Sequence, residues 1–120
     1  MITYQEAEKI FLEVLERERA MTLHEIVMME EWTTEKPIGW FFSYQSKEYK
    51  ETRDRKFLLI GNGPILVKRM DGEVIIFGSS PRAIERVKRL MKKTMFEVKL
   101  EHWWKRTMRR VKEWRSNLRG

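Results

Sequence analysis

Gly39-Trp-Phe-Phe-Ser-Tyr-Gln-Ser-Lys-Glu-Tyr49, followed by Gly61-Asn-Gly-Pro-Ile-Leu-Val67 and then Asp71-Gly72, decides how this chain reads. Alternation sends Trp40, Phe42 and Tyr44 to one side of a strand and Phe41 and Ser43 to the other. Aromatics in that pattern carry large apolar areas and point to a core. Gly61-Asn-Gly63 tolerates positive φ and suits a tight connection. Pro64 then opens a strand through Val67, at a position where a missing N–H does no harm. Met70-Asp-Gly-Glu73 reads as a type I′ hairpin turn, and Val74-Ile-Ile-Phe77 as the returning strand. The unbroken apolar run of that strand points to burial on both faces.

Upstream, the β-branched and apolar stretch Thr22–Trp32 and the Pro37-Ile-Gly39 punctuation read as strand, turn, strand. Ser46–Arg53 is polar and reads as a short helical turn or loop. Thr3 and Glu6 have capping-box spacing, and Ala7, Ile10, Phe11, Val14 and Leu15 share one face of a helix over about residues 4–19. Downstream, Ser80-Pro81 starts a helix with an apolar stripe at Ile84, Val87, Leu90 and Met91. Beyond Thr94 the apolar residues change face, which predicts a break near residues 94–100 and a second helix from about Glu101 to Leu118; a short strand at Phe96–Glu101 also fits. The expected class is α+β: an N-terminal helix, a four-stranded antiparallel sheet built from two hairpins, and C-terminal helices packed on or beside it. Residues 1–93 are expected to form one domain, with 94–120 a basic, Trp-rich helical extension of the same globule.

Composition narrows the function. The 120 residues contain no cysteine, which removes disulfides, thiolate zinc sites and cysteine nucleophiles and fits a reducing cytoplasm. The start of the chain lacks a signal-peptide layout, and no apolar run approaches a membrane span. A soluble cytoplasmic protein is expected. The net charge of +7 is lopsided: residues 82–120 hold 14 of the 25 Lys and Arg and 4 of the 18 Asp and Glu. A neutral-to-acidic body with a basic appendage is thus expected, not a uniformly basic domain.

Catalytic patterns are absent. His24 and His102 have no second histidine at ligand spacing, so no metal is expected. Gly61-Asn-Gly63 lacks the Lys-Ser/Thr and the helix of a phosphate loop. Glu30/Glu31 and Glu48/Glu51 read as solvated surface, no nucleophile arrangement stands out, and neither an enzyme nor a cofactor or small-molecule substrate is expected.

The tail, His102 to Arg115, interleaves Trp with Arg, residue types enriched in interface hot spots. It could dock Trp104, Met108, Val111 and Leu118 on the protein's own sheet, with its basic face toward solvent or the acidic first helix. It could instead bind a partner protein, or bind nucleic acid or an anionic membrane.

Gly39-Trp40-x-Phe42-x-Tyr44-x-Ser46-Lys47-Glu48-Tyr49-x-Glu51-Thr52, Gly61-Asn62-Gly63-Pro64-Ile65-x-Val67, Asp71-Gly72-Glu73-Val74 and Gly78-x-x-Pro81 together resemble the immunity protein 35 family, also called YrhB-like, over about residues 1–90. The matching positions include Trp40, Tyr44, Tyr49, Gly61, Pro64 and Gly72, which the residue patterns make mainly scaffold. The resemblance implies a small bacterial α+β protein encoded beside a toxin of a polymorphic toxin system, which it binds and neutralises; a YrhB-type member implies a chaperone-like alternative. Partner contacts are then expected at Trp103, Trp104, Arg106, Arg109, Arg110 and Trp114 of the tail, and at Lys47, Arg53 and Arg55 of a second patch. Nucleic-acid binding through the tail is the rival expectation. Three features depart from the family pattern: Arg53 stands where the resemblance implies glycine, the segment after Pro81 lacks the tyrosine-containing ending the resemblance implies, and residues 94–120 extend past it.

Overall fold

The computed structural model describes residues 1–119. Helix α1 (Tyr4–Arg19) begins at the capping box expected from the sequence: the Thr3 side chain accepts from the Glu6 N–H, and the Glu6 carboxylate accepts from the Thr3 N–H. Then come β1 (Ile26–Met28), a 3₁₀ turn at Glu30–Trp32, β2 (Thr34–Lys36), β3 (Gly39–Phe42), β4 (Tyr44–Ser46) and the short helix α2 (Lys47–Thr52). A second 3₁₀ turn at Arg55–Phe57 leads to β5 (Asn62–Lys68), β6 (Val74–Gly78), α3 (Pro81–Met91) and α4 (Met95–Arg119).

The main sheet is antiparallel, in the order β2-β3-β5-β6, and is made of two hairpins as expected. A separate ribbon pairs β1 with β4, Ile26 opposite Ser46. The segment expected as one long strand over 22–32 is therefore shorter, and the hairpin partner of β3 is the polar strand Thr34-Glu35-Lys36. Gly39 is required at this hairpin, because a Cβ there would lie 2.2 Å from the Val67 carbonyl oxygen across the β3–β5 pair.

Each face of the sheet has its own core. Trp40, Phe42, Ile65 and Val67 point toward α1, where they meet Ala7, Phe11, Val14 and Leu15. Phe11 and Phe42 stack with ring centroids 4.7 Å apart. Phe41, Leu66 and Phe77 point the other way, to Val87 of α3 and Val98 of α4. That double cover is why all four residues of β3 are buried. The edge strand β6 is less covered than its sequence suggests: Phe77 is buried but Ile76 is exposed, because α1 does not reach across the edge strand at that point.

The β5–β6 turn is not type I′. Lys68 pairs with Glu73 across a four-residue loop, in which only Gly72 takes a positive φ (76°). Asp71 keeps a negative φ because its carboxylate accepts from the Glu73 N–H at 2.9 Å, an Asx turn. Pro64 is the third residue of β5, not its first, and lies in a register irregularity between Asn62 and Ile65 that relieves the ladder of its missing donor.

The C-terminal helices break at Lys92–Thr94, and α4 starts at Met95 with no intervening strand. Thr94 accepts from the Glu97 N–H at 3.2 Å, an N-cap that explains the earlier start. Helix α4 has 25 residues, about 37 Å at 1.5 Å per residue. Its first turns pack through Met95 and Val98, and the rest stands away from the body. The radius of gyration is 17.4 Å, with extents of 60 × 32 × 30 Å, against about 14 Å for a compact chain of this length.

Candidate functional site

Two surfaces carry the residues expected to meet a partner, and the fold roots them at opposite ends of the continuous β3–β4 segment. The first is α4. Its buried anchor, Val98, sits with Ile38 at the β2–β3 turn. The Lys93 ammonium, aided by Lys105 at 3.1 Å, holds the Glu101 carboxyl down at about 2 and pins the α3–α4 corner. Beyond this clamp the side chains lose their cover: Trp103 and Trp104 are each 57% exposed and Trp114 is 62% exposed. Arg106, Arg109 and Arg110 are exposed as well. A cleft of about 330 Å³ separates α4 from the β5–β6 loop; His102, Lys105, Arg106 and Arg109 line one side, and Lys68, Asp71 and Glu73 the other. Because α1 and α4 lie on opposite faces of the sheet, the basic side of α4 does not meet the acidic first helix.

The second surface surrounds α2. Ser46 is buried and caps the helix, accepting from the Tyr49 N–H at 3.1 Å while donating to the Phe57 carbonyl at 2.6 Å. Gln45, also buried, holds Leu59 through both ends of its amide. These bonds fix the loop after α2 and present Lys47, Arg53 and Arg55 outward, all three exposed. Lys47 lies 3.9 Å from Glu25. Arg53 pairs with Glu31, and its guanidinium lies 5.8 Å from the Tyr49 ring centre. Lys50 joins the patch by bridging Glu30 and the Met28 carbonyl. Hydrogen bonds from Lys50 and Arg53 lower the Glu30 and Glu31 carboxyls, respectively. Trp32 rests against Tyr49 with ring centroids 6.0 Å apart. Sequence reasoning misses Trp32, Glu30 and Glu31 as members of this patch, since they reach it only through the β1–β4 pairing, which has no local signature.

The residues shared with the family pattern take structural places. Trp40 is buried in the α1-side core, under the Arg69 guanidinium at 4.4 Å. Tyr44 is half-buried, its hydroxyl pKa raised by burial and then by Glu18. Gly61 has φ 96°, and a Cβ at this position would meet no atom nearer than 4.0 Å, so the backbone conformation alone calls for glycine. Arg53, where the pattern implies glycine, has a left-handed backbone (φ 59°, ψ 19°) at the C-terminus of α2. Among the described residues, no group of three His, Asp or Glu is placed to hold a metal, and no helix is long and apolar enough to cross a membrane.

The architecture is a three-layer α+β domain with one helix standing off it. The family model described as Immunity protein 35 matches residues 5–103, and the chain belongs to that family. The match runs further than the motifs do, through the packed start of α4, and stops where the helix leaves the body. Over 42 residues the chain is 33% identical to the uncharacterized protein YrhB of Escherichia coli (strain K12); this stretch is 35% of the chain and only 45% of that relative. No solved structure matches the chain.

Proposed function

We propose that this protein is a cytoplasmic immunity protein that neutralises a cognate bacterial toxin, encoded next to it, by binding it stoichiometrically without chemistry of its own. Family membership supports the class. The observation that carries the mechanism is the outer part of α4, where three tryptophans and three arginines are held on a helix and left unpacked. A projecting amphipathic helix suits the helix-in-groove mode, with Trp103, Trp104 and Trp114 as anchors and Arg106, Arg109 and Arg110 reading an acidic rim. Inhibition is then steric: the helix fills or covers the toxin's working cleft. Lys47, Arg53 and Arg55 of the α2 patch form a secondary contact surface.

The test is a titration of the full chain with the toxin domain encoded beside it, repeated across salt. A one-to-one complex whose association slows with salt agrees with the reading. Binding to DNA or RNA that collapses between about 50 and 200 mM salt, with no toxin complex, would favour a nucleic-acid module instead. Suppression of aggregation of unrelated proteins, with no tight partner, would favour a chaperone-like role.

A further inference from the structure

Beyond Met95 and Val98, the apolar seam of α4 does not face the body. Leu100, Trp104, Thr107, Val111, Trp114 and Leu118 follow a 4-3-4-3-4 spacing, the a/d seam of a heptad repeat. At 100° per residue this seam lies on the opposite side of the helix from the buried anchor Val98. Leu100 is 51% exposed and Leu118 67%, so the seam is open to water at both ends. Most helical stability in proteins comes from packing an apolar face rather than from propensity, and this face is unpacked. Something should cover the seam.

The order of side chains along it identifies the occupant. Read from either end, the seam runs Leu, Trp, a β-branched residue, a β-branched residue, Trp, Leu. An isologous two-fold contact needs residue i to meet j while j meets i. Laid antiparallel on itself, this seam pairs Leu100 with Leu118, Trp104 with Trp114 and Thr107 with Val111 in every layer. The flanks agree on one side: Glu101 falls opposite Arg115, and Met108 meets its own copy on the axis. On the other side Trp103 falls opposite Asn117, and Arg110 meets its own copy, the single unfavourable pair. A fully buried aromatic contributes about 150–250 Å². Three tryptophans more than half exposed, with the two terminal leucines, bring each copy toward the roughly 800 Å² per partner of a standard interface. The body contact through Val98 lies on the far side of each helix from the seam, which would leave the bodies on the outer sides of such a pair.

We propose that, in the absence of another partner, α4 pairs antiparallel with α4 of a second copy of this chain, about a two-fold axis near Met108 and Arg109. The pairing needs no toxin, so it stands or falls separately from the proposed function. Where both hold, the toxin and the second copy compete for Trp104 and Trp114, and the dimer is the resting form.

The full chain is tested by light scattering and sedimentation over a micromolar concentration series. The expected result is a concentration-dependent species of twice the 14.7 kDa chain mass, abolished in W104E/W114E while the circular dichroism of the body is unchanged. Orientation is read by cross-linking, which is clean because the natural chain has no cysteine. Met108→Cys should link to its own copy through a short bis-maleimide. Leu118→Cys should not, since its two copies would lie roughly 27 Å apart at 1.5 Å per residue. A monomer at every concentration, or self-linking at Leu118→Cys without Met108→Cys, would overturn the proposal.

Discussion

Trp40 and Trp114 are the same residue in opposite circumstances. Trp40 is 3% exposed, held between α1 and the sheet, whereas Trp114 is 62% exposed on a helix that stands clear of the body. The whole body follows the first pattern: all of β3 is buried because α1 covers one face and α3 with the root of α4 covers the other. The outer half of α4 follows the second. In the body, aromatic residues make the fold; on α4 they are available to make a complex. Mutations in the two regions should therefore separate stability from binding.

The largest effects belong to the body. Gly39→Val should prevent folding or destabilise by more than about 4 kcal/mol, since its side chain must enter the Val67 carbonyl. Phe42→Ala, which empties the stack with Phe11, should cost about 3–5 kcal/mol in chemical denaturation. The contrast is Trp114→Ala, expected within about 0.5 kcal/mol of the natural chain by the same measurement, while weakening any complex made through α4. Measured at a dilution where the chain is monomeric, a large stability loss at Trp114 would mean that α4 packs in cis and would erase the distinction between the regions.

Next in size is a kinetic effect. Reversing charge at Arg106, Arg109 and Arg110 should slow association with an acidic partner about ten-fold or more at low salt, and flatten its salt dependence, leaving the thermal midpoint almost unmoved. An unchanged association rate would remove the basic face from the binding account.

A smaller effect should appear at Arg53. Its left-handed backbone suits glycine, and an L-residue there is strained by about 1 kcal/mol. Arg53→Gly relieves that strain but loses the Glu31 pair, an exposed interaction of about 0–1 kcal/mol. Equilibrium unfolding should therefore show a variant no less stable than the natural chain. Weaker toxin binding by this variant would show that the strained arginine is kept for contact, not for the fold.

The smallest effect lies at the joint between the two regions. The Glu101 carboxyl is depressed to about 2 by Lys93 and then Lys105, so its unfolded value of about 4.3 is the higher of the two. The clamp's stabilisation is complete above about pH 5, falls as pH drops below the unfolded value of about 4.3, and disappears as pH falls through about 2. With 38% of the side chain exposed, it is worth at most about 1 kcal/mol after solvent screening. Amide exchange in the first turns of α4 should lose protection over that interval in the natural chain, and show no such step in Glu101→Gln.

The parts of the fold legible from the sequence are those specified by neighbours in the chain. The Thr3–Glu6 box locates α1, Ser80-Pro81 locates α3, and the alternation in β3 separates its two faces correctly. What escapes depends on distant partners. The β1–β4 ribbon pairs Ile26 with Ser46, and β2 is a polar edge strand with no apolar alternation. The apolar pattern puts the start of the last helix too late, because two opposite apolar faces imply two packed helices; one of those faces is simply exposed, and the helix runs through. In the α2 patch, residue type alone singles out Lys47, Arg53 and Arg55, but Trp32, Glu30 and Glu31 arrive only through tertiary structure.

On the proposed function, the family body is scaffold and the outer half of α4 holds the partner. The decisive measurement is calorimetric titration of the proposed toxin partner into the full chain and into a chain ending at Trp103. The full chain should give a one-to-one complex, the shortened chain should bind at least about 100-fold more weakly (roughly 2.7 kcal/mol), and the unfolding transition of the body should not change. Equal affinity of the two chains would move the partner-binding surface off α4.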